Sequence, residues 1–158
     1  MTAGVPRSAE PATPMLSFTV YGKAAPAGSK VARTNASGRS WVHDSSKRAA
    51  PWKDQVGLAA FEAMLDLAAP EPAELMDGPL GVKFFFYVAR PKGHYGKNGL
   101  RPSAPAYPTV RPDVLKLARA VEDACTGIVW RDDAQIVIEL LRKYYGEPAR
   151  VEVIVWRA

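Results

Sequence analysis

The segment that most constrains the fold is the near-continuous apolar run PLGVKFFFYVAR at residues 79–90. Its aromatic and β-branched residues favour a strand. The run is much shorter than the roughly 20 apolar residues that a membrane-spanning helix needs. Continuous apolarity over the length of a strand is typical of a strand that is buried on both faces. The run therefore predicts a central strand with a neighbour on each side.

Three further segments predict the other strands. MLSFTVYG (15–22) alternates between apolar and polar residues, while AQIVIELLRKYY (134–145) and RVEVIVW (150–156) are rich in residues that favour strands. The short link GEP (146–148) predicts a tight hairpin between the last two strands.

Two segments between these strands predict amphipathic helices. Residues 50–69 and 113–127 carry apolar residues at helical spacing. Pro51 suits the first turn of the first helix, and Gly127 suits the end of the second. The predicted order is β-α-β-α-β-β. This order favours an α+β fold, in which two helices pack against one mixed sheet of about four strands.

Length and composition favour one intracellular domain. A chain of 158 residues suits a single domain, which we expect at 15–158 after a disordered lead-in at 1–14 that is rich in Pro, Ala, Ser and Thr. The lead-in lacks the apolar core of a secretory signal. The one cysteine, Cys125, forms no intrachain disulfide and is expected to be a small core residue. These features predict a cytoplasmic protein without a membrane partner.

The basic residues are concentrated in two predicted loops. The net charge is +5, and residues 20–53 hold seven Lys or Arg against one acid, while 90–111 hold five against none. Such stretches are typical of a track for a polyanion such as DNA, and solvated loops are the alternative interpretation. The candidate contacts with the DNA backbone are Lys30, Arg33, Arg39, Lys47, Arg48, Lys92, Lys97, Arg101, Lys116 and Lys143.

The segment RPDVLKLARAVEDACTGIVWRDDAQ (111–135) gathers four aspartates within this basic chain. Asp113 and Asp123 fall on one side of the predicted helix, and Asp132 and Asp133 come just before the next strand. An antiparallel return of that strand would bring acids from the two elements together. Converging carboxylates suit Mg²⁺, which prefers oxygen ligands. A bound metal beside basic residues is the chemistry of phosphodiester cleavage.

Each aspartate also has a structural interpretation. Asp113 is placed to cap the helix. Asp123 is placed to form an i,i+4 ion pair with Arg119. Asp132 and Asp133 suit a turn before the strand. The residues alone leave these alternatives open.

The order of these motifs resembles the RusA family of Holliday junction resolvases. The pattern of that family is roughly (K/R)-P-D-x-D at a helix start, a basic residue and a later Asp on the helix, then D-D-x-Q and a strand with a downstream lysine. RPDVLKLARAVEDACTG and VWRDDAQIVIELLRKYYG match the two halves. FTVYGKAAPAGSK is similar to the first strand of the family. The resemblance covers residues 15–157.

This resemblance implies a homodimer that binds four-way DNA junctions and cuts two strands with Mg²⁺ or Mn²⁺. The catalytic residues that it implies are Asp113, Asp133, Asp132 and Arg119. The metal ligands would be Asp113 and Asp133, with Asp132 or Asp123 completing the set. Arg119 takes the place of a lysine, and since arginine rarely releases a proton, it favours phosphate stabilisation over acid–base chemistry.

One position departs from the family pattern, because Leu115 stands where the second motif aspartate is expected. Leucine cannot bind a metal. Another acid would then complete the site, with Asp123 and Asp132 as first candidates and Glu122 as a poorer one, because it projects opposite Asp113. Otherwise the metal binds through more waters, or the site is lost.

The leading interpretation is a Mg²⁺-dependent endonuclease that resolves branched DNA in recombination, repair or phage DNA processing. The first alternative is a non-catalytic junction-binding protein of the same fold. The second is a basic nucleoprotein or scaffold component whose acids are structural.

Overall fold

A computed structural model of the chain describes residues 14–28, 30–44 and 47–158. The predicted disordered lead-in lies outside the described residues except for Pro14. The strands are β1 (Leu16–Tyr21), β2 (Lys30–Thr34), β3 (Ser40–Asp44), β4 (Leu80–Val88), β5 (Tyr95–Gly96), β6 (Gly99–Leu100), β7 (Ile136–Tyr145) and β8 (Arg150–Arg157). The helices are α1 (Ala49–Ala68) and α2 (Val114–Cys125). Short 3₁₀ turns lie at Lys92–His94 and Asp133–Gln135.

The strand formed by the apolar run, β4, is central in a mixed sheet with the order β1-β8-β4-β7. It pairs antiparallel with β8 and parallel with β7, and β1 pairs antiparallel with β8. A parallel pair needs a long crossover, which here contains α2. The two helices pack against each other. In addition, α1 packs against β1 and α2 packs against β7. The predicted α+β fold, with two helices on a mixed four-stranded sheet, is confirmed.

The prediction that β4 is buried on both faces is wrong. Its alternate residues from Leu80 to Phe86 point towards the helices and are fully buried. On the other face, Phe85 and Tyr87 are only half-buried. The run is continuous in sequence because the second face carries aromatic residues, although neither helix covers it. We call this second face of the sheet the open face.

The predicted hairpin between the last two strands is also wrong. β7 and β8 are not neighbours, because β4 lies between them. Their link crosses the end of β4, where the Gly146 amide donates to the Val88 carbonyl at 3.0 Å. A Cβ at Gly146 would lie 2.7 Å from the Tyr87 ring. Glycine therefore permits the close approach of the two backbones.

The two long basic loops contain more regular structure than the sequence predicts. β2 and β3 form an antiparallel hairpin within the first loop. β5 and β6 form a second, very short hairpin within the loop that precedes α2. Both hairpins lie outside the four-stranded sheet.

The second helix follows its predicted pattern closely. Leu117, Ala118, Val121 and Cys125 are buried as expected, and burial raises the pKa of the Cys125 thiol. After the helix, Gly127 has a φ of +81°, a left-handed conformation that glycine adopts without steric cost. In the part of the chain that the structure describes, neither helix is both long and apolar enough to cross a membrane.

Candidate active site

Asp113 occupies the N-cap position of α2 but does not cap the helix with its side chain. Its backbone is extended, and its carbonyl oxygen accepts hydrogen bonds from the amides of Lys116 and Leu117 at 3.1 and 3.2 Å. Its carboxylate makes no capping hydrogen bond and is exposed. Capping therefore does not explain this carboxylate, and a chemical role is favoured.

A cavity of about 430 Å³ opens beside Asp113. Its charged lining consists of Lys23, Arg48, Arg111, Lys116 and Asp113. Four cations around one carboxylate leave a positive site, and guanidinium and ammonium groups bind phosphate oxygens through charge-assisted hydrogen bonds. The lining comes from the loop after β1, the residue before α1, and the start of α2. We call this cavity the basic cleft.

Lys143 of β7 holds the backbone that leads into Asp113. Its Nζ donates to the carbonyl oxygens of Val110 and Pro112 at 2.8 and 2.9 Å. These two bonds tie the segment before α2 to the sheet. They give Lys143 a positioning role within the chain, and its contact with DNA stays a prediction.

Asp133 lies at the opposite end of α2. Its Oδ1 accepts a hydrogen bond from Trp130 Nε1 at 3.1 Å and another from Thr126 Oγ1. Trp130 is fully buried, so the indole fixes the carboxylate against the core. Since a carboxylate has two acceptor oxygens, this arrangement orients Asp133 through Oδ1 and leaves Oδ2 for another ligand.

Two glutamates meet beside Asp133. Glu122 of α2 is hydrogen-bonded to the side chain of Glu139 of β7, and Asp133 and Asp123 lie near enough to repel its charge. Burial, the Glu139 hydrogen bond and these neighbouring charges raise the pKa of Glu122 to about 8. Glu122 is therefore mostly protonated at neutral pH. We call Glu122, Glu139 and Asp133 the acidic group.

Asp132 and Asp123 have local partners. The Asp132 carboxylate accepts from the Ala134 amide at 2.8 Å and caps the 3₁₀ turn, as the turn interpretation predicts. Asp123 forms an ion pair with Lys53 of α1 at 2.6 Å, where the sequence predicted Arg119 as its partner. Asp123 therefore joins the two helices.

The basic cleft and the acidic group lie at opposite ends of α2. Asp113 is the N-cap residue of α2. Asp133 contacts Thr126, the residue that follows the last residue of α2. At a rise of about 1.5 Å per residue, the two positions are roughly 20 Å apart. One ion cannot bind both aspartates of the same chain at that separation. Within residues 14–28, 30–44 and 47–158, no three His, Cys, Asp or Glu side chains are close enough to hold a metal ion.

Leu115 lies on the exposed side of α2, with 67% of its surface accessible. Leu115, Arg119 and Glu122 are spaced i, i+4 and i+7 and therefore share one stripe of the helix. The residue that replaces the motif aspartate has thus not joined the core. Arg119 is exposed midway between the basic cleft and the acidic group.

The predicted DNA-contact residues are spread over one cleft and two hairpins. Arg48 and Lys116 line the basic cleft. Lys143 is partly buried on β7. The other predicted contacts whose side chains are described are exposed, namely Arg33 and Arg39 on the β2–β3 hairpin, Lys47 before α1, and Lys92, Lys97 and Arg101 around the β5–β6 hairpin. The side chain of Lys30 lies outside the described part of the structure.

Sequence reasoning missed three residues of these sites and undervalued a fourth. Lys23 and Arg111 line the basic cleft, and Arg111 could have been found because it opens the RPD motif. Glu139 interrupts the apolar strand β7 on the side that faces α2, which is the signal that could have found it. The sequence makes Glu122 the poorer candidate because it projects opposite Asp113, yet Asp133 lies at the same end of the helix as Glu122.

An exposed carboxylate in a basic cleft and a second group of acids, both on an α+β fold, are typical of a phosphodiester nuclease. The family described as endodeoxyribonuclease RusA matches residues 24–156. The chain belongs to this family of Holliday junction endonucleases. It is also 27% identical over 143 residues to the uncharacterized protein YqaN of Bacillus subtilis (strain 168), covering 89% of this chain and 94% of that protein.

Proposed function

We propose that this chain is a cytoplasmic, Mg²⁺-dependent endonuclease that nicks four-way junctions and related branched DNA as a homodimer. We further propose that each active site takes its acids from both copies. The observation that carries this proposal is the separation of Asp113 from Asp133 by the whole length of α2. Each end of the helix holds half of a nuclease site.

A two-fold axis near the middle of α2 would unite the halves. It would set the α2 helices of the two copies antiparallel, so that the basic cleft of one copy faces the acidic group of its partner. Because a two-fold contact is self-complementary, the same pairing occurs twice. The stripe of Leu115, Arg119 and Glu122 would then lie between the helices. Two equal sites in one dimer suit the paired cuts that resolve a junction.

The acidic group has the chemistry that a hard divalent cation requires. A carboxyl group that keeps its proton at neutral pH beside other acids offers a place where a cation can replace that proton. The residues that would hold the cation are Asp133 and Glu122 of one copy, with Asp113 of the second copy. When bound, Mg²⁺ would supply an acidified water and neutralise charge on the phosphate. Mn²⁺ has the same preference for oxygen ligands.

The basic residues would bind and orient the DNA backbone. Arg48 and Lys116 line the cleft beside Asp113, where they would hold the phosphate next to the scissile bond. Arg119, exposed on the same helix, would stabilise charge that develops on the phosphate. Contacts of this kind position DNA without reading its sequence, which suits selection by shape.

Mixing two inactive variants tests both parts of the proposal. Asp113→Asn and Asp133→Asn should each abolish Mg²⁺-dependent nicking of a synthetic four-way junction. After unfolding and refolding together, half of the dimers are mixed, and each mixed dimer would regain one intact site. Nicking should then return to about a quarter of the wild-type rate, mostly as single nicks. A mixture as inactive as its components would overturn the shared site, while an inactive wild-type protein would overturn the endonuclease itself.

A non-catalytic junction-binding protein is the second candidate. Two observations favour it, the exposed Leu115 in place of a family aspartate and the lack of a three-ligand group within the described residues of one chain. The same assay separates the candidates. Tight binding of the junction over linear duplex, without nicks in Mg²⁺ or Mn²⁺, would favour the binding protein.

A further inference from the structure

The open face carries a row of aromatic residues that the proposed active site does not use. The register of the sheet places Tyr21 of β1 opposite Arg150 of β8, Arg150 opposite Tyr87 of β4, and Tyr87 opposite Tyr144 of β7. Directly opposite residues point to the same face, so the row crosses all four strands. Strands lie about 4.8 Å apart, so the row is roughly 15 Å long.

Three successive ring contacts join Arg150, Tyr87 and Tyr144 of this row to Tyr107. The guanidinium of Arg150 lies 3.8 Å from the centre of the Tyr87 ring. The Tyr87 and Tyr144 rings are 5.6 Å apart, and Tyr107 extends the row beyond β7 at 6.2 Å from Tyr144. Both ends are accessible, since Tyr21 is 62% exposed and Tyr107 is 60% exposed. We call these five residues the stacking row.

The next row of the open face adds charge. Arg142 of β7 stands beside Phe85 of β4, with its guanidinium 5.6 Å from the ring centre, and Glu152 of β8 lies on the other side of Phe85. Glu152 accepts a hydrogen bond from Arg150 at 2.9 Å, so that acid is already neutralised. With Lys83 further along β4, the described strand residues place three cations and one acid on this face.

This charge decides between two occupants of the open face. A second copy of the chain would set this excess of positive charge against the same excess, and like charges in an interface are repulsive. A polyanion is attracted instead. Among polyanions, single-stranded nucleic acid combines phosphates for the cations with bases that stack on aromatic rings. Aromatic rings interleaved with arginine therefore match unpaired DNA better than duplex or protein.

We propose that the stacking row of the open face binds unpaired bases of the DNA substrate. The inference rests on the proposed function only in taking DNA as the ligand. It assigns to the sheet a surface separate from the basic cleft and the acidic group. Single-stranded flaps and gaps of branched DNA, and base pairs that open at a branch point, are the parts of the substrate with this chemistry.

The test compares two fluorescent oligonucleotides of equal charge in EDTA, where no cleavage occurs. One is a twelve-residue oligothymidine, and the other is an abasic strand of the same length. The wild-type full-length protein should bind oligothymidine at least about tenfold more tightly, since each stacked base contributes about 1–3 kcal/mol. Tyr144→Ala should remove about tenfold of that preference without changing the affinity for the abasic strand. Tyr144→Phe, which keeps the ring, should restore it.

Two further variants keep the proposal testable if Tyr144→Ala fails to fold. Tyr21→Ala and Tyr107→Ala remove exposed rings at the ends of the row and should each lower the preference several-fold. Phe61→Ala is the matched control, because Phe61 is a half-exposed aromatic on α1, away from the open face. It should leave binding of both strands unchanged.

Several outcomes would overturn the proposal. Equal affinity for oligothymidine and the abasic strand would show that only phosphates are bound. Conversion of the dimer to a monomer by Tyr21→Ala or Tyr107→Ala, measured by light scattering, would assign the face to a second copy. A protein that nicks junctions but binds both oligonucleotides equally would refute base binding by the open face and leave the proposed endonuclease intact. A protein that binds oligothymidine more tightly but never nicks junctions would refute the proposed endonuclease and leave base binding intact.

Discussion

Glu122 of α2 and Glu139 of β7 are hydrogen-bonded to each other through their side chains, although both are acids. This contact requires one of them to keep a proton, and burial together with Glu139 raises the pKa of Glu122 to about 8 from an ordinary value of 4.5. The pair marks the place where α2 and β7 bring acids together. It lies beside Asp133 and at the far end of the helix from Asp113.

The Glu122 carboxyl should make stability fall as pH rises. Below pH 4.5 Glu122 is protonated in both the folded and the unfolded chain, so it adds no pH dependence there. Between about pH 4.5 and 8 the unfolded chain releases the proton while the folded chain keeps it, so folding loses free energy as pH rises. Glu122→Gln stays neutral and should raise Tm by a few degrees at pH 9, with little effect at pH 4.5. Thermal denaturation across this range measures the difference. Glu62→Gln, an exposed change on α1, is the control. A Tm gain of Glu122→Gln that is equal at all pH values would contradict the prediction.

Binding of a divalent cation should release the proton of Glu122. Below pH 8 the affinity for Mn²⁺ should therefore rise by about tenfold per pH unit. Calorimetry in two buffers of different ionisation enthalpy would measure the proton released, and chelation with EDTA should reverse the binding. Glu122→Gln should abolish the pH dependence. Mn²⁺ binding that is unchanged between pH 6 and 8 would argue against the acidic group as the cation site.

Leu115→Asp should fold normally, because Leu115 is exposed in the first turn of α2. A surface change away from the core alters stability by about 0.5 kcal/mol or less, and an acid near a helix N-terminus is favourable. Junction nicking should rise, since the change restores a carboxylate beside Asp113. Leu117→Asp is the matched control two residues on. Leu117 is fully buried, so an unpaired charge there should cost at least about 3 kcal/mol.

Lys143→Met should impair catalysis more than folding. The change removes the two hydrogen bonds to the Val110 and Pro112 carbonyls that hold the segment before Asp113. Loss of a charged hydrogen bond costs about 1–3 kcal/mol, so the protein should remain folded with a lower Tm. Nicking at saturating junction should fall by tenfold or more. Weaker junction binding with an unchanged rate at saturation would instead support a direct DNA contact by Lys143.

Asp123→Asn should be nearly neutral. Asp123 is paired with Lys53 in a partly exposed ion pair, and such pairs contribute about 0.2–1 kcal/mol. Both stability and Mg²⁺-dependent nicking should stay close to wild type, and Lys53→Met should behave in the same way. A loss of nicking in Asp123→Asn, with Lys53→Met active, would return Asp123 to the metal site.

Local patterns determined the main elements of this protein. The apolar run at 79–90 predicted the central strand, and apolar spacing predicted both helices to within a residue or two, because side-chain periodicity follows directly from helix and strand geometry. The RPD and RDDAQ motifs predicted the family. The pairing of the strands did not follow from these patterns, since the short link at 146–148 suits a hairpin but crosses over β4.

The candidate site, like the fold, follows partly from the sequence and partly from the tertiary structure. The sequence alone determined which acids and bases are present, and that Leu115 departs from the motif. Only the tertiary structure decided which of them meet. Because α2 and β7 run in opposite directions, Asp133 and Glu139 come to the Glu122 end of the helix, and Asp113 remains in the basic cleft at the other end. The distance between charged groups depends on packing across elements, which the spacing of residues along one chain does not encode.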